Sequence, residues 1–210
     1  MDIAVALFER VTALDAVGPY EVLQRLPGAK VRFVGHRKGE VRTDNGFLGL
    51  TVDCTFDEVS NPDVLLIPGG IGTRALVHDQ AILDWIRKAH ETSQFTTSVC
   101  TGSLLLAAAG LLKGRRATTH FAARPLLLKY GATPTEERVV QEGRIITAAG
   151  VSSGIDMALR LAELLTDATT AKALQLMIEY DPQPPHDAGA LHKVDANVLS
   201  RVQELAKLKH

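Results

Sequence analysis

Cysteine is scarce in this chain, with two among 210 residues. Two thiols in that length make no disulfide framework, so the sequence predicts a reducing, cytoplasmic setting. An excess of one charge is missing as well. Lys and Arg number 23 against 24 Asp and Glu, for a formal net charge of -1, and no long block of like charge occurs. That balance argues against a nucleic-acid partner, which calls for a basic stripe or excess. Long apolar runs are absent too. The run in MDIAVALFER follows an acid where a secretory signal needs a base, and it is too short to span a bilayer; LLLAAAGLLKGRR is broken by Gly110 and then by charge. No membrane partner is therefore expected. No glycine loop followed by Lys marks a phosphate cradle. His36, His78, His90, His192 and His210 show no metal-ligand spacing. Linkers, repeats and low-complexity segments are also missing, which suits one domain with a substantial core.

What is present is an alternation. IAVALF, VRFVG, DVLLIPGG and FTTSVC are continuous apolar runs of strand length, the pattern of strands buried on both faces. Helical patterns lie between them, at Leu14–Leu26, Gln80–Glu91 and Gly102–Leu112. Strand–helix alternation predicts an α/β fold: a mostly parallel central sheet with helices on both faces. KGEVRTDNGFLGLTVDCTF reads as a hairpin around Asn45-Gly46, with Leu48, Leu50, Val52, Cys54 and Phe56 on one face of an alternating strand. Further on, HFAARPLLLKYG predicts a helix stopped at Gly131, RVVQEGRIITAAG a hairpin at Glu142-Gly143, and SSGIDMALRLAELLTD and TTAKALQLMIEY two helices. A Pro-rich stretch, EYDPQPPHDAGA, precedes a terminal amphipathic helix in VDANVLSRVQELAKLK. We expect one α/β domain over 1–190, with a C-terminal helix at 191–210 packed on the same domain.

Chemistry concentrates at FTTSVCTGSLLLAAAGLL, where a strand ends on Cys100 and a helix starts at Gly102. Such a corner lifts its residue out at the carboxyl ends of the strands, where open α/β sheets bind ligands. The helix amides would favour the thiolate and lower its pKa. The geometry is that of a nucleophile elbow with Cys in place of Ser. The plainer alternative is a small buried residue closing a strand. Cys54, in phase with Leu50 and Val52, reads as packing. Asp15 follows the first strand, as either a helix cap or an acid beside the elbow. A carboxylate repels a thiolate, so an acid there would share one proton with Cys100 and act as a general acid.

SVCTGSLLLAAAGLLKGRRATTHF, LIPGG, LDAVGPYEVL, AAGVSSGIDMALRLAELL and EYDPQPPHDAG together resemble the ThiJ/PfpI superfamily, whose fold is a flavodoxin-like sandwich related to class I glutamine amidotransferases. The resemblance covers nearly the whole chain, and within the superfamily it is strongest to the isonitrile hydratases. It implies that Asp15 faces Cys100, with Asp rather than the commoner Glu matching that subgroup. It implies hydration of an isonitrile to an N-substituted formamide through a Cys100 thioimidate, with no metal or organic cofactor. The amides of Gly70 and Thr101 would form an anion hole in the turn at Gly69, and Val151 and Ser152 would wall the pocket. His120 would support the site rather than pair with Cys100, because Ala122 stands where related amidotransferases carry Glu. His186 stands where an apolar residue would be expected. The resemblance also implies a homodimer. Glyoxalase III, deglycase or peptidase chemistry on the same elbow is the alternative activity. A non-enzymatic redox or ligand sensor is the third reading, though one leftover helix is too little for a helix-turn-helix region.

Overall fold

A computed structural model describes residues 1–207. The chain divides into two compact units, Met1–Ile178 and a second from Glu179 onward. The division falls at the head of the Pro-rich stretch, ahead of the boundary expected at 190.

In the first unit, β1 (Asp2–Ala6), α1 (Ala13–Leu23) and β2 (Lys30–Gly35) follow one another. A hairpin of β3 (Gly39–Arg42) and β4 (Gly49–Val52) leads to the short β5 (Cys54–Thr55). Next come β6 (Val64–Ile67), α2 (Thr73–Leu76), α3 (Gln80–Thr92), β7 (Phe95–Val99) and α4 (Gly102–Ala108). Two small strands, β8 (Arg116–Ala117) and β9 (Thr133–Pro134), bracket α5 (Arg124–Leu128). The hairpin β10 (Val139–Glu142) and β11 (Ile145–Ala148) is followed by α6 (Ser153–Leu165) and α7 (Ala168–Met177). The second unit holds α8 (Ala196–Lys207), started by Asp195, whose side chain accepts from the Asn197 and Val198 amides.

Seven strands form the main sheet in the order β10-β11-β7-β6-β1-β2-β5. All neighbours run parallel except β10 and β11. Ile3–Ala6 and Val64–Ile67 are wholly buried, because helices cover both faces of the central strands. α3 shows how a helix is fixed on such a sheet. The Asp79 side chain caps it through the Ala81 and Ile82 amides, and Ile82, Leu83, Trp85, Ile86 and Ala89 face inward. Each large apolar side chain so buried contributes about 2 kcal/mol.

Two expectations are corrected. The alternating strand over 48–56 is broken at Asp53, whose amide donates to Phe33 O at 2.8 Å and carries Cys54–Thr55 into the main sheet beside β2. Leu48 is left half exposed, at 50%. The expected helix at HFAARPLLLKYG is a 3-10 turn, Phe121–Ala123, and then the five-residue α5, because Pro125 suits only a first helical turn. No helix among the described residues is long and apolar enough to cross a membrane.

Candidate active site

Four neighbouring parallel strands, β1, β6, β7 and β11, release their carboxyl-end loops toward one another. Those loops bring Asp15, Gly69-Gly70, Cys100-Thr101 and Val151 together. Cys100 has φ 55°, a left-handed conformation that costs a side-chain-bearing residue about 1 kcal/mol. The surroundings hold it there. Its amide donates to Ala149 O at 2.7 Å, and its carbonyl accepts from Thr119 Oγ1 at 2.8 Å and Ser103 Oγ at 3.2 Å. A Cβ at Gly102 would lie 2.1 Å from Ile67 O, so only glycine lets the corner close this tightly.

Asp15 lies in the first turn of α1 and is fully buried; Thr12, not Asp15, occupies the cap position. Its Oδ2 accepts the Gly69 amide at 2.9 Å, whereas Oδ1 has no hydrogen-bond partner among the described residues. Burial pushes the Asp15 carboxyl up to about 7. The Gly69 amide and the nearby Cys100 thiol lower it in part, and the charge of Asp44 raises it again. The thiol thus sits close enough to Asp15 to stabilise its charge, without the geometry of a full hydrogen bond to Oδ1.

The expectation of an exposed, acidified thiol is corrected. Cys100 is 5% exposed, because the converging loops close over it. Burial first, and the Asp15 charge second, push the thiol up to about 12. The amides of Thr101 and Val151 and the Thr101 hydroxyl act on sulfur in the opposite sense, yet do not outweigh the loss of water. At neutral pH sulfur therefore keeps its proton, while Asp15 is poised between its two forms.

The Gly70 amide donates to Thr101 Oγ1 at 2.9 Å, so it orients that hydroxyl instead of facing an anion. The Val151 amide, which acts on sulfur, stands where Gly70 was expected. A Cβ at Gly69 would come within 2.5 Å of Thr101 N and 2.9 Å of Asp15 Oδ2, so glycine is required between acid and elbow. The Ser152 hydroxyl is engaged by Arg138 Nη2 at 3.3 Å. The His120 ring packs on Gly150, where a Cβ would meet its Cδ2 at 3.1 Å. Its Nδ1 accepts the Ala122 amide at 3.3 Å, which leaves Nε2 to carry the proton. Burial and then Arg124 lower its pKa, so the ring is neutral at pH 7.

Residues that sequence reading passed over also shape the site. Thr119 and Ser103 hold the Cys100 carbonyl; of these, Ser103, three residues past the thiol, carries a usable signal, since a hydroxyl there reaches back to the turn carbonyl. Asp44, at the tip of the β3–β4 hairpin, also acts on the Asp15 carboxyl. A cavity of about 650 Å³ lined by His36, Phe56, Trp85 and Lys88 includes none of the residues that hold Cys100 or Asp15.

A thiol at the strand-to-helix corner of a mostly parallel α/β sandwich, with a buried acid from the first turn of the helix after β1, defines a cysteine-elbow protein of the flavodoxin-like class. The chain belongs to the DJ-1/PfpI family, whose sequence pattern matches residues 1–164. It is 42% identical to an isonitrile hydratase from Pseudomonas putida, over 98% of this chain and 90% of that protein. It is 28% identical to the deglycase PfpI of Pyrococcus furiosus, over 64% and 81%. A crystal structure of a ThiJ/PfpI family protein from Pseudomonas syringae superposes with a TM-score of 0.93 at 39% identity, covering 99% of this chain and 87% of that one.

Proposed function

We propose that the chain hydrates an isonitrile, R–N≡C, to the formamide R–NH–CHO, with Cys100 as nucleophile and Asp15 as proton carrier. The observation that carries this reading is the buried pair itself, an acid with a pKa near 7 beside a thiol that keeps its proton. The 42% identity with an isonitrile hydratase over nearly the full chain supports it.

A thiol with a pKa of about 12 needs a base at the moment of attack. The Asp15 carboxylate takes the S–H proton as the sulfur lone pair forms the S–C bond to the terminal isonitrile carbon. The electron pair left on that carbon takes the proton back from Asp15. The product is a thioimidate, Cys100–S–CH=N–R. Asp15, again a carboxylate, takes one proton from water as the water oxygen adds to the same carbon, and passes it to nitrogen. Collapse of the adduct breaks the C–S bond as the proton of the new hydroxyl moves through Asp15 to sulfur, which releases the formamide. One water is consumed and the pair is restored. The amides of Thr101 and Val151 and the Thr101 hydroxyl stabilise charge on sulfur as it enters and leaves. Val151, partly buried beside the thiol, supplies apolar wall for R.

We also infer a cytoplasmic homodimer. Leu176 and Met177 in α7, 76% and 65% exposed, offer apolar surface that a second copy would cover. Light scattering that returns the monomer mass of 22.6 kDa would count against it. The activity is tested with cyclohexyl isocyanide, following the formamide by mass spectrometry. Turnover that persists in Cys100→Ala, or consumption of methylglyoxal with no formamide formed, would reject the reading.

A further inference from the structure

The tip of the β3–β4 hairpin reaches into the floor of the site. Asp44 is partly buried there and makes three polar contacts. Its amide donates to Val11 O at 3.1 Å, its Oδ2 accepts the Thr12 hydroxyl at 2.5 Å, and its Oδ1 accepts the Ile71 amide at 2.9 Å. A parallel bridge between Val11 and Thr43 seats the tip on the same loop. Thr12 caps α1, and its carbonyl accepts the Asp15 amide at 3.1 Å. Ile71 directly follows Gly69-Gly70, whose amides bind Asp15 and Thr101. One carboxylate thus ties the loop that delivers the acid to the turn that orients acid and hydroxyl.

We propose that Asp44 is a positioning residue for the Asp15–Cys100 pair, setting the spacing of the loops around the acid and placing a second carboxylate at their junction. A hydroxyl and an amide donated to one charged group are stronger and better aimed than bonds between neutral groups. Loops held this way keep their side chains within the small tolerance that catalysis allows. The charge acts along with the anchoring. Among the described residues, the groups acting on Asp15 are the Gly69 amide from the β6 turn, Cys100 from the elbow and Asp44 from the hairpin; only Asp44 among these adds a negative charge that favours the protonated acid.

The importance of the pair for turnover rests on the function proposed above, so the test reads the pair without it. The rate of Cys100 alkylation by iodoacetamide is followed against pH by mass spectrometry, in wild type, Asp44→Asn, Asp44→Ala, Thr12→Val and Glu40→Gln. The reactive, singly deprotonated pair forms as Asp15 titrates. Asp44→Asn keeps hydrogen-bonding groups and removes the charge, so its midpoint falls by about half a pH unit. Asp44→Ala shows the fall and a plateau lowered about tenfold. Thr12→Val lowers the plateau without moving the midpoint. Glu40→Gln, on the same hairpin but paired with Arg42, leaves the profile where it was. A midpoint that Asp44→Asn does not move, or that Glu40→Gln moves equally, overturns the electrostatic role. Plateaus in Thr12→Val and Asp44→Ala equal to wild type overturn the anchoring role. The same variants are assayed with cyclohexyl isocyanide. A wild type that makes no formamide removes the proposed function, while the alkylation profiles still decide the role of Asp44.

Discussion

Asp15 and Cys100 act on each other unequally: the carboxyl opposes ionisation of the thiol, while the thiol eases ionisation of the carboxyl. The pair therefore loses its first proton near pH 7 and holds the second until about 12. In the proposed mechanism, activity needs the singly protonated pair. We expect kcat/KM to rise with pH to a plateau, with a midpoint near 7, and to stay flat to pH 10. Initial rates in overlapping buffers check this; a falling limb between pH 8 and 10 would assign the second proton to a different group.

The same shift links stability to pH. Between the unfolded value of 3.8 and about 7 the folded chain keeps a proton that the unfolded chain has shed. Stability must fall as pH rises through that window, and the loss is complete above it. Three units correspond to about 4 kcal/mol at most. Asp15→Asn removes the penalty and keeps an oxygen for the Gly69 amide. Its unfolding free energy should exceed wild type by about 2–4 kcal/mol at pH 8 and match it near pH 4, while turnover drops about 10³-fold. Urea melts at the two pH values read the first effect and formamide production reads the second.

Much of this arrangement is visible in the residues themselves. The unbroken apolar runs Ile3–Ala6 and Val64–Ile67 announce central parallel strands, because burial on both faces leaves no room for alternation. A thiol between a strand and Thr101-Gly102 announces the corner. The ionisation of that thiol was not readable. Local pattern points to helix amides that lower its pKa, whereas the deciding influence is loss of water, which depends on how loops far apart in sequence close over the residue. Asp44 was hidden for a related reason. In Asp44-Asn45-Gly46 an acid is ordinary turn chemistry, and only the fold brings it to Thr12 and Ile71.

Backbone strain at the elbow gives a prediction that runs against the usual cost of glycine. At φ 55° an alanine suffers the left-handed penalty and glycine does not. Cys100→Gly should thus be more stable than Cys100→Ala by about 1 kcal/mol, with both inactive. Thermal melts of the two variants compare them directly. Equal stability would mean that the surrounding bonds to Ala149, Thr119 and Ser103 relax once the side chain is gone.

The Gly70 amide donates to Thr101 Oγ1 at 2.9 Å, and the single proton of that hydroxyl can go either to Gly70 O, 3.2 Å away, or to charge on the Cys100 sulfur. Thr101→Val keeps the shape and leaves the Gly70 amide without a partner, a loss of about 1–3 kcal/mol. It also removes a hydroxyl that favours charge on sulfur, so kcat should fall about 10²-fold. Thr101→Ser keeps the hydroxyl and should recover most of both. Chemical denaturation and steady-state rates on the two variants separate methyl from hydroxyl. If serine fails as badly as valine, then packing of the Thr101 methyl group, and not the bond to Gly70, orients the corner, and the charge stabilisation assigned to this side chain belongs to the Thr101 and Val151 amides alone.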